Sequence, residues 1–162
     1  MEIVIRPAEE RDLPAMLRLW REMMDFHARW DARFRPGRAP DAEDAWTKYL
    51  RQEIWGSDKW CALVAEQNGD VVGQIMGVLR NPVPVFEPGT YGYVTDIVVD
   101  PQVRRRGVGK ALFQSLEAWF LERGASHLEL QVLEHNPASQ AFWRAMGCTD
   151  FSDNMWYDLE ER

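Results

Sequence analysis

The stretch VVDPQVRRRGVGKALFQSLEAWF, Val98 to Phe120, limits the fold more than any other part of the chain. A β-branched run closes on Asp100-Pro101, an arginine- and glycine-rich loop follows, and Val108, Leu112, Leu116, Trp119 and Phe120 then recur at helical spacing. Proline cannot donate to a sheet and so ends the strand, and the 3.6-residue apolar period marks the helix. The start of that helix leaves backbone N–H groups and the positive dipole end facing the loop. Arg104, Arg105, Arg106 and Lys110 add positive charge there, while Gly107 and Gly109 let the backbone approach an anion with no Cβ in the way. Two familiar phosphate loops do not fit. A Walker loop needs Ser or Thr after its Lys, where Ala111 stands, and a dinucleotide fingerprint needs a third glycine, where Leu112 stands.

Around this unit the chain alternates helical and strand periods. Ile3 to Arg6 reads as a strand ended by Pro7, and Asp12 as the N-cap of a helix with Pro14 in its first turn. Leu13, Met16, Leu17, Trp20, Met23, Met24 and His27 give that helix one buried face. The loop DARFRPGRAP separates it from a second helix, capped by Asp41 and carrying Trp46, Tyr49, Leu50 and Ile54. WCALVAEQ and VVGQIMGVLR flank Asn68-Gly69-Asp70, a strong hairpin signal. After the proline-rich loop NPVPVFEPG come strands at Tyr93 to Val99, His127 to Leu133 and Met155 to Leu159, with a short helix from Pro137 to Met146. The order predicts a mixed α/β protein with one domain over residues 1–162.

Composition narrows the partners. A net charge of −7 argues against a nucleic-acid binder, whose footprint should be basic, and suits a cationic substrate. No run of about 18 apolar residues reads as a membrane span, and no signal peptide is visible. Cys61 and Cys148 form no metal or redox spacing, so a reduced, cytoplasmic setting with no metal site is expected.

Arg104-Arg105-Arg106-Gly107-Val108-Gly109, after a strand ending Val-Asp-Pro, resembles the Arg-x-x-Gly-x-Gly pyrophosphate motif of the GNAT superfamily of N-acetyltransferases. HLELQVLEHNPASQAFWRAMGC looks like the second half of that family, and IRPAEERDLPAMLRLW like its usual opening, so the resemblance covers nearly the whole chain. It implies a single-domain GNAT-like α/β fold, a mixed central sheet flanked by helices, in which the parallel strands Tyr93–Val99 and His127–Leu133 splay apart. It implies acetyl-CoA as co-substrate, with its pantetheine arm paired to the backbone of Ile97, Val98 and Val99. Arg104, Arg105, Arg106, Gly107, Val108, Gly109 and Lys110 would hold the pyrophosphate, and Asn136, Ala138 and Ser139 the cofactor's far side. Many relatives pair through sheet edges, which makes a homodimer the expectation.

The catalytic pattern departs from the family twice. The strand Glu that many relatives use as base falls at Thr95; Asp96 is adjacent, but alternation points it to the other face unless a bulge intervenes. Glu134 and His135 are the other candidates, and a structural acceptor role for Asp96 stays open. The general-acid Tyr that relatives often carry seven residues beyond the Asn is Trp143, whose indole N–H is no usable acid; Tyr91 and Tyr93 are substitutes by chemistry alone. A backbone N–H near Val98 is the oxyanion donor that the resemblance implies. For the acceptor, Glu22, Asp25, Phe26, His27, Trp30 and Asp31, with Phe34, lie where the family's first helix turns toward substrate, and they suit a small-molecule primary amine. A protein or peptide acetyltransferase, and a non-catalytic acetyl-CoA-binding module, remain as alternatives.

Overall fold

The computed structural model describes residues 2–34, 41–85, 89–157 and 159; most of the arginine-rich loop and part of the proline-rich loop lie outside them. The chain divides into two compact units, Met1–Gln131 and Val132–Arg162.

The first unit holds strands β1 (Val4–Pro7), β2 (Trp60–Gln67), β3 (Asp70–Arg80), β4 (Tyr91–Val99) and β5 (Leu128–Leu130), with helices α1 (Leu13–Trp30), α2 (Ala42–Tyr49) and α3 (Val108–Glu122). A π-helical turn, Leu50–Ile54, continues α2. The strands form one sheet in the order β1-β2-β3-β4-β5. Pairing is antiparallel as far as β4, and parallel between β4 and β5. The β2–β3 hairpin turns on Asn68 and Gly69, both at positive φ (55° and 89°), the two-residue turn whose twist matches its strands.

Each face of the sheet has its own apolar cover. Leu13, Met16 and Leu19 of α1, with Leu50 and Ile54, pack with Ala62, Val64, Val71, Met76 and Val98. The opposite face takes α3. There a Cβ on Gly77 would lie 2.7 Å from Phe120 Cζ, and one on Gly92 2.8 Å from the same ring, so two glycines let Phe120 rest on bare backbone. That close approach fixes where α3, and the loop before it, sit against β4. Gly77→Val should therefore destabilise by about 1–3 kcal/mol through overpacking, read as a lower denaturant midpoint at unchanged slope.

Three sequence expectations need correcting. The strand expected over His127–Leu133 is only Leu128–Leu130. Met155 to Leu159 forms no strand among its described residues; Met155, Trp156 and Tyr157 stand exposed, and β-prone side chains make a strand only where a ladder partner takes their backbone. Asp12 and Asp41 are the N-cap residues of α1 and α2, but neither side chain makes a capping bond; that of Asp12 is engaged elsewhere. It accepts instead from Arg6 (2.7 and 2.8 Å) and from the Glu9 N–H (2.8 Å), and the Arg6 bond holds it below the usual carboxylate range.

The second unit contains α4 (Pro137–Ala145). Asn136 caps it, its side-chain oxygen accepting from the Ser139 N–H at 3.1 Å.

Candidate active site

The site starts from a register fault. Met76 pairs with Asp96 and Gly77 with Val94, so Thr95 is an extra residue with no partner on β3. In an unbroken strand Asp96 would share the α3 face with Val94. The bulge turns it to the other face, beside Met76 and Val98, where α1 and the π-turn pack. The Thr95 hydroxyl lies 3.2 Å from both the Met76 carbonyl and Asp96 Oδ2, and donates to one or the other. Asp96 Oδ1 is shut off from solvent and has no hydrogen-bond partner. Burial pushes the Asp96 carboxyl up to about 7, against a smaller downward pull from the Thr95 bond. A carboxylate so tuned is half-ionised near neutral pH, as a base that must take a proton from an ammonium requires.

Tyr49, to which the sequence gave no catalytic role, is within reach of the Asp96 charge. The Tyr49 hydroxyl is raised by burial and by the charges of Glu53 and Asp96, and lowered by Arg80, which puts all three charges within electrostatic reach of one phenol. Tyr49 meets Trp60 edge-on at 5.9 Å. The Arg80 guanidinium lies 3.6 Å above the Tyr93 ring. Tyr91 instead stacks on His127 (5.2 Å, 5° between planes) and is occupied there. Gln74, fully buried and paired across the strands with Val98, has neither amide atom satisfied.

The other half of the site is the edge of β4. β5 pairs only with Gly92, Tyr93 and Val94, so β4 runs on through Thr95, Asp96, Ile97, Val98 and Val99 without a strand on that side in its unit. This is the gap the splayed strands were expected to leave. Beyond it, Arg105 (φ 61°) and Gly107 (φ 83°) are both left-handed, the kind of backbone alternation from which anion nests are built. Gly107 is the N-cap of α3, and a Cβ there would meet no protein atom within 4 Å. Among the described residues the side chains of Arg105, Arg106 and Lys110 form no ion pair. Arg104 does different work, its Nε donating to the Val99 carbonyl at 2.9 Å and tying the loop to the strand end. Val108 is buried and Gly109 lies in the first turn of the helix. Nest, dipole and free cations fit a pyrophosphate.

In the second unit Glu134 and His135 are exposed, and the Glu134 carbonyl accepts from Gln140 Nε2 at 2.7 Å. Ala138 lies in the first turn of α4. Trp143 is buried and meets Phe142 edge-on at 5.0 Å.

The residues expected to face the acceptor lie at the C-terminal end of α1. Asp31 is taken by Arg33, whose backbone N–H and Nε both reach Oδ1 at 2.9 Å. Phe26 contacts His27 and Trp30, and burial lowers the His27 pKa. Glu22 is half-buried and Asp25 exposed on the same helix, and nothing is described of the Phe34 side chain. A polar cavity of about 390 Å³ lies elsewhere again, lined by Arg18, Gln67, Asp70 and Asp100, with the Arg18–Asp100 ion pair (3.0 Å) across it.

A family model described as the acetyltransferase (GNAT) family matches residues 19–148, most of the chain. The chain belongs to this family. It is an N-acetyltransferase by class, and its single sheet with parallel β4 and β5 is the family's fold. The bovine thialysine N-epsilon-acetyltransferase is 26% identical over 93% of this chain and 86% of its own length. The peptidyl-lysine N-acetyltransferase YiaC of Escherichia coli is 27% identical over 96% and 88%. Among solved structures, AAC(6')-Iy in complex with a CoA-linked bisubstrate analogue superposes with a TM-score of 0.77 at 22% identity, covering 99% of both chains. For a GNAT enzyme, the bulge at Thr95 explains how an aspartate one position late reaches the face where a strand glutamate was expected. No group of three or more His, Cys, Asp or Glu side chains that could hold a metal occurs among the described residues, and none of their helices is long and apolar enough to cross a membrane.

Proposed function

We propose that the protein moves the acetyl group of acetyl-CoA to a primary amine of a small molecule by direct attack, with Asp96 as the general base. The observation that carries this reading is the bulge-placed Asp96, poised near pH 7 beside the unpaired edge of β4. Acetyl-CoA supplies the activated acyl group. The Arg105–Lys110 nest and its cations hold the pyrophosphate, and the backbone of Ile97, Val98 and Val99 lines the pantetheine arm. Asn136, Ala138 and Ser139 belong to the same binding role. Asp96 accepts the proton that the ammonium must lose before its nitrogen can attack. An N–H near Val98 donates to the oxygen on which negative charge develops. The departing thiolate, with a pKa of about 8.5, needs little help near neutrality. Assistance from an acid is typically worth about 10²- to 10⁴-fold, so a tryptophan at position 143 slows transfer rather than preventing it.

Relatives named for thialysine and for peptidyl-lysine both act on amines, which supports the acceptor class without choosing between free and peptide-bound amines. A reduced, cytoplasmic setting belongs to this reading, in keeping with a Cys61 thiol that burial pushes up to about 11 and so keeps protonated. So do a single catalytic domain and a homodimer.

The test is release of free CoA thiol from acetyl-CoA across polyamines, aminoglycosides, amino acids and short peptides. Turnover with a free small amine is the expected result. Turnover with peptides alone makes the chain a peptide acetyltransferase. Intact acetyl-CoA binding with no turnover for any amine makes it a non-catalytic binding module.

A further inference from the structure

We infer that Gln74 is the positioning residue of the base: its carboxamide and Asp96 Oδ1 hold one buried water between them, and that water steadies the ionised carboxylate from the core side. This rests on the transferase reading above for the role of Asp96, whereas the pairing of the two side chains can be tested without turnover.

Gln74 stands where an apolar residue would serve the core better. A Cβ on its neighbour Gly73 would lie 3.1 Å from Leu112 and 3.4 Å from Val108, so Gly73 faces α3 and Gln74 the opposite side. There Gln74 pairs with Val64 of β2 and Val98 of β4, and Met76 follows two residues on. All three belong to the cluster under α1. Gln74 has no exposed surface among them, and neither Oε1 nor Nε2 has a hydrogen-bond partner in the protein. A buried amide left unpaired is destabilising, while an apolar side chain of the same shape costs little or nothing. A glutamine kept at such a position needs a polar partner.

Asp96 is within reach. Gln74 pairs with Val98 and Met76 with Asp96 in unbroken register, so Gln74 and Asp96 are diagonal neighbours on one face of the sheet. Side chains at such positions start about 7 Å apart, a span that a long one can cover. Asp96 Oδ2 lies 3.2 Å from the Thr95 hydroxyl, whereas Oδ1 is shut off from solvent and unpartnered. Two orphaned groups this close that do not bond each other call for a bridging molecule. An acceptor amine cannot reach a residue with no exposed surface, but a water can. Accepting from Gln74 Nε2 and donating to Oδ1, it favours the charged carboxylate. Among the described residues the remaining orphaned buried side-chain atom is Trp55 Nε1, and Trp55 packs against the same cluster, so the unpaired polar atoms gather on the face of the base. From the elements packed there, α1 brings Leu13, Met16 and Leu19 and β3 brings Met76, none of which titrates. The titratable group that senses the Asp96 charge is the Tyr49 phenol, which burial raises above its usual value and so keeps protonated near neutral pH.

Titration of the Asp96 carboxyl by carbon-13 NMR tests the pairing, its resonance assigned by its loss in Asp96→Asn. Gln74→Met keeps the size and removes the amide. It should melt at or above the native temperature, and the Asp96 titration should move up by about one pH unit as a hydrogen bond to the charged form is lost. In kinetics, kcat/KM should fall about tenfold at pH 6 and return toward the native value at pH 9, because only the limb has moved. A crystal structure of the native enzyme should show ordered density within hydrogen-bond distance of both side chains. The NMR titration and the density decide the matter even if no amine is acetylated. An Asp96 titration left in place by Gln74→Met, or side chains with no bridging density, overturns the inference. A kinetic limb that stays put in Gln74→Met but vanishes in Asp96→Asn overturns it while leaving the base in place. A limb that survives Asp96→Asn removes the base and the role of Gln74 with it.

Discussion

Asp96→Asn should lower kcat/KM by about 10² to 10⁴, the usual worth of a positioned general base. The change is nearly isosteric, and an Asn oxygen still accepts from the Thr95 hydroxyl, so the bulge should survive it. The decisive readout is the pH profile. In the native enzyme kcat/KM should rise through about pH 7, where the buried carboxyl loses its proton, and level off above. In the variant that limb should vanish, leaving a low rate without an inflection near 7. Stability should move the opposite way. The folded carboxyl keeps its proton up to about pH 7, whereas an unfolded Asp releases it near 4. Over that interval the folded state binds more protons than the unfolded, so stability from this group is complete below about pH 4 and is lost as pH rises through 7. Asp96→Asn should therefore raise Tm at pH 8, with the gain shrinking as pH falls toward 4. A variant that keeps the inflection near 7 would move the base elsewhere, with Glu134 the next candidate.

What the sequence shows and what it hides follow from the range of the interactions concerned. The β2–β3 hairpin was legible because Asn68-Gly69 decides its turn locally. The α3 stripe and the Arg-Gly loop were legible because a helix start, its dipole and its flanking charges are all encoded within a few residues. Asp96 was legible as a residue type but not as a direction. Its face depends on one unpaired residue, and a bulge is a property of two strands in register, not of one. The surroundings of Tyr49 were less legible still. Tyr49 ends α2, Glu53 lies in the π-turn after it, Arg80 ends β3 and Asp96 lies in the middle of β4, and no periodicity links positions so far apart. The sequence drew attention to the acids of α1, where Asp31 turned out to be held by Arg33. The gap along β4 was expected in place and kind, but β5 is shorter than the apolar run predicted, because a strand ends where its partner turns away.

Gly107→Glu should remove measurable acetyl-CoA binding, and the reason can be separated from damage to the loop. Gly107 sits at φ 83°, so any side chain there costs about 1–2 kcal/mol of backbone strain. No protein atom lies within 4 Å of where its Cβ would be, so the cost is conformational rather than steric. Gly107→Ala carries that same strain without bulk or charge, and the two variants should show similar losses in Tm. Their affinities should differ widely. A carboxylate about 4 Å from a phosphate charge near a protein surface opposes it by about 4 kcal/mol, roughly a thousandfold in Kd, while Ala should cost far less. Calorimetry with acetyl-CoA on both variants gives the comparison, and raising the salt should recover part of the Glu loss by screening. Equal affinities for native, Ala and Glu forms would place the pyrophosphate elsewhere and leave Arg105, Arg106 and Lys110 as surface charge. A Glu variant far weaker than Ala at matched stability fixes the anion against the α3 N-terminus. From there β4 leads back to Asp96, so one strand sets both the proposed cofactor loop at its end and the bulge that turns the proposed base.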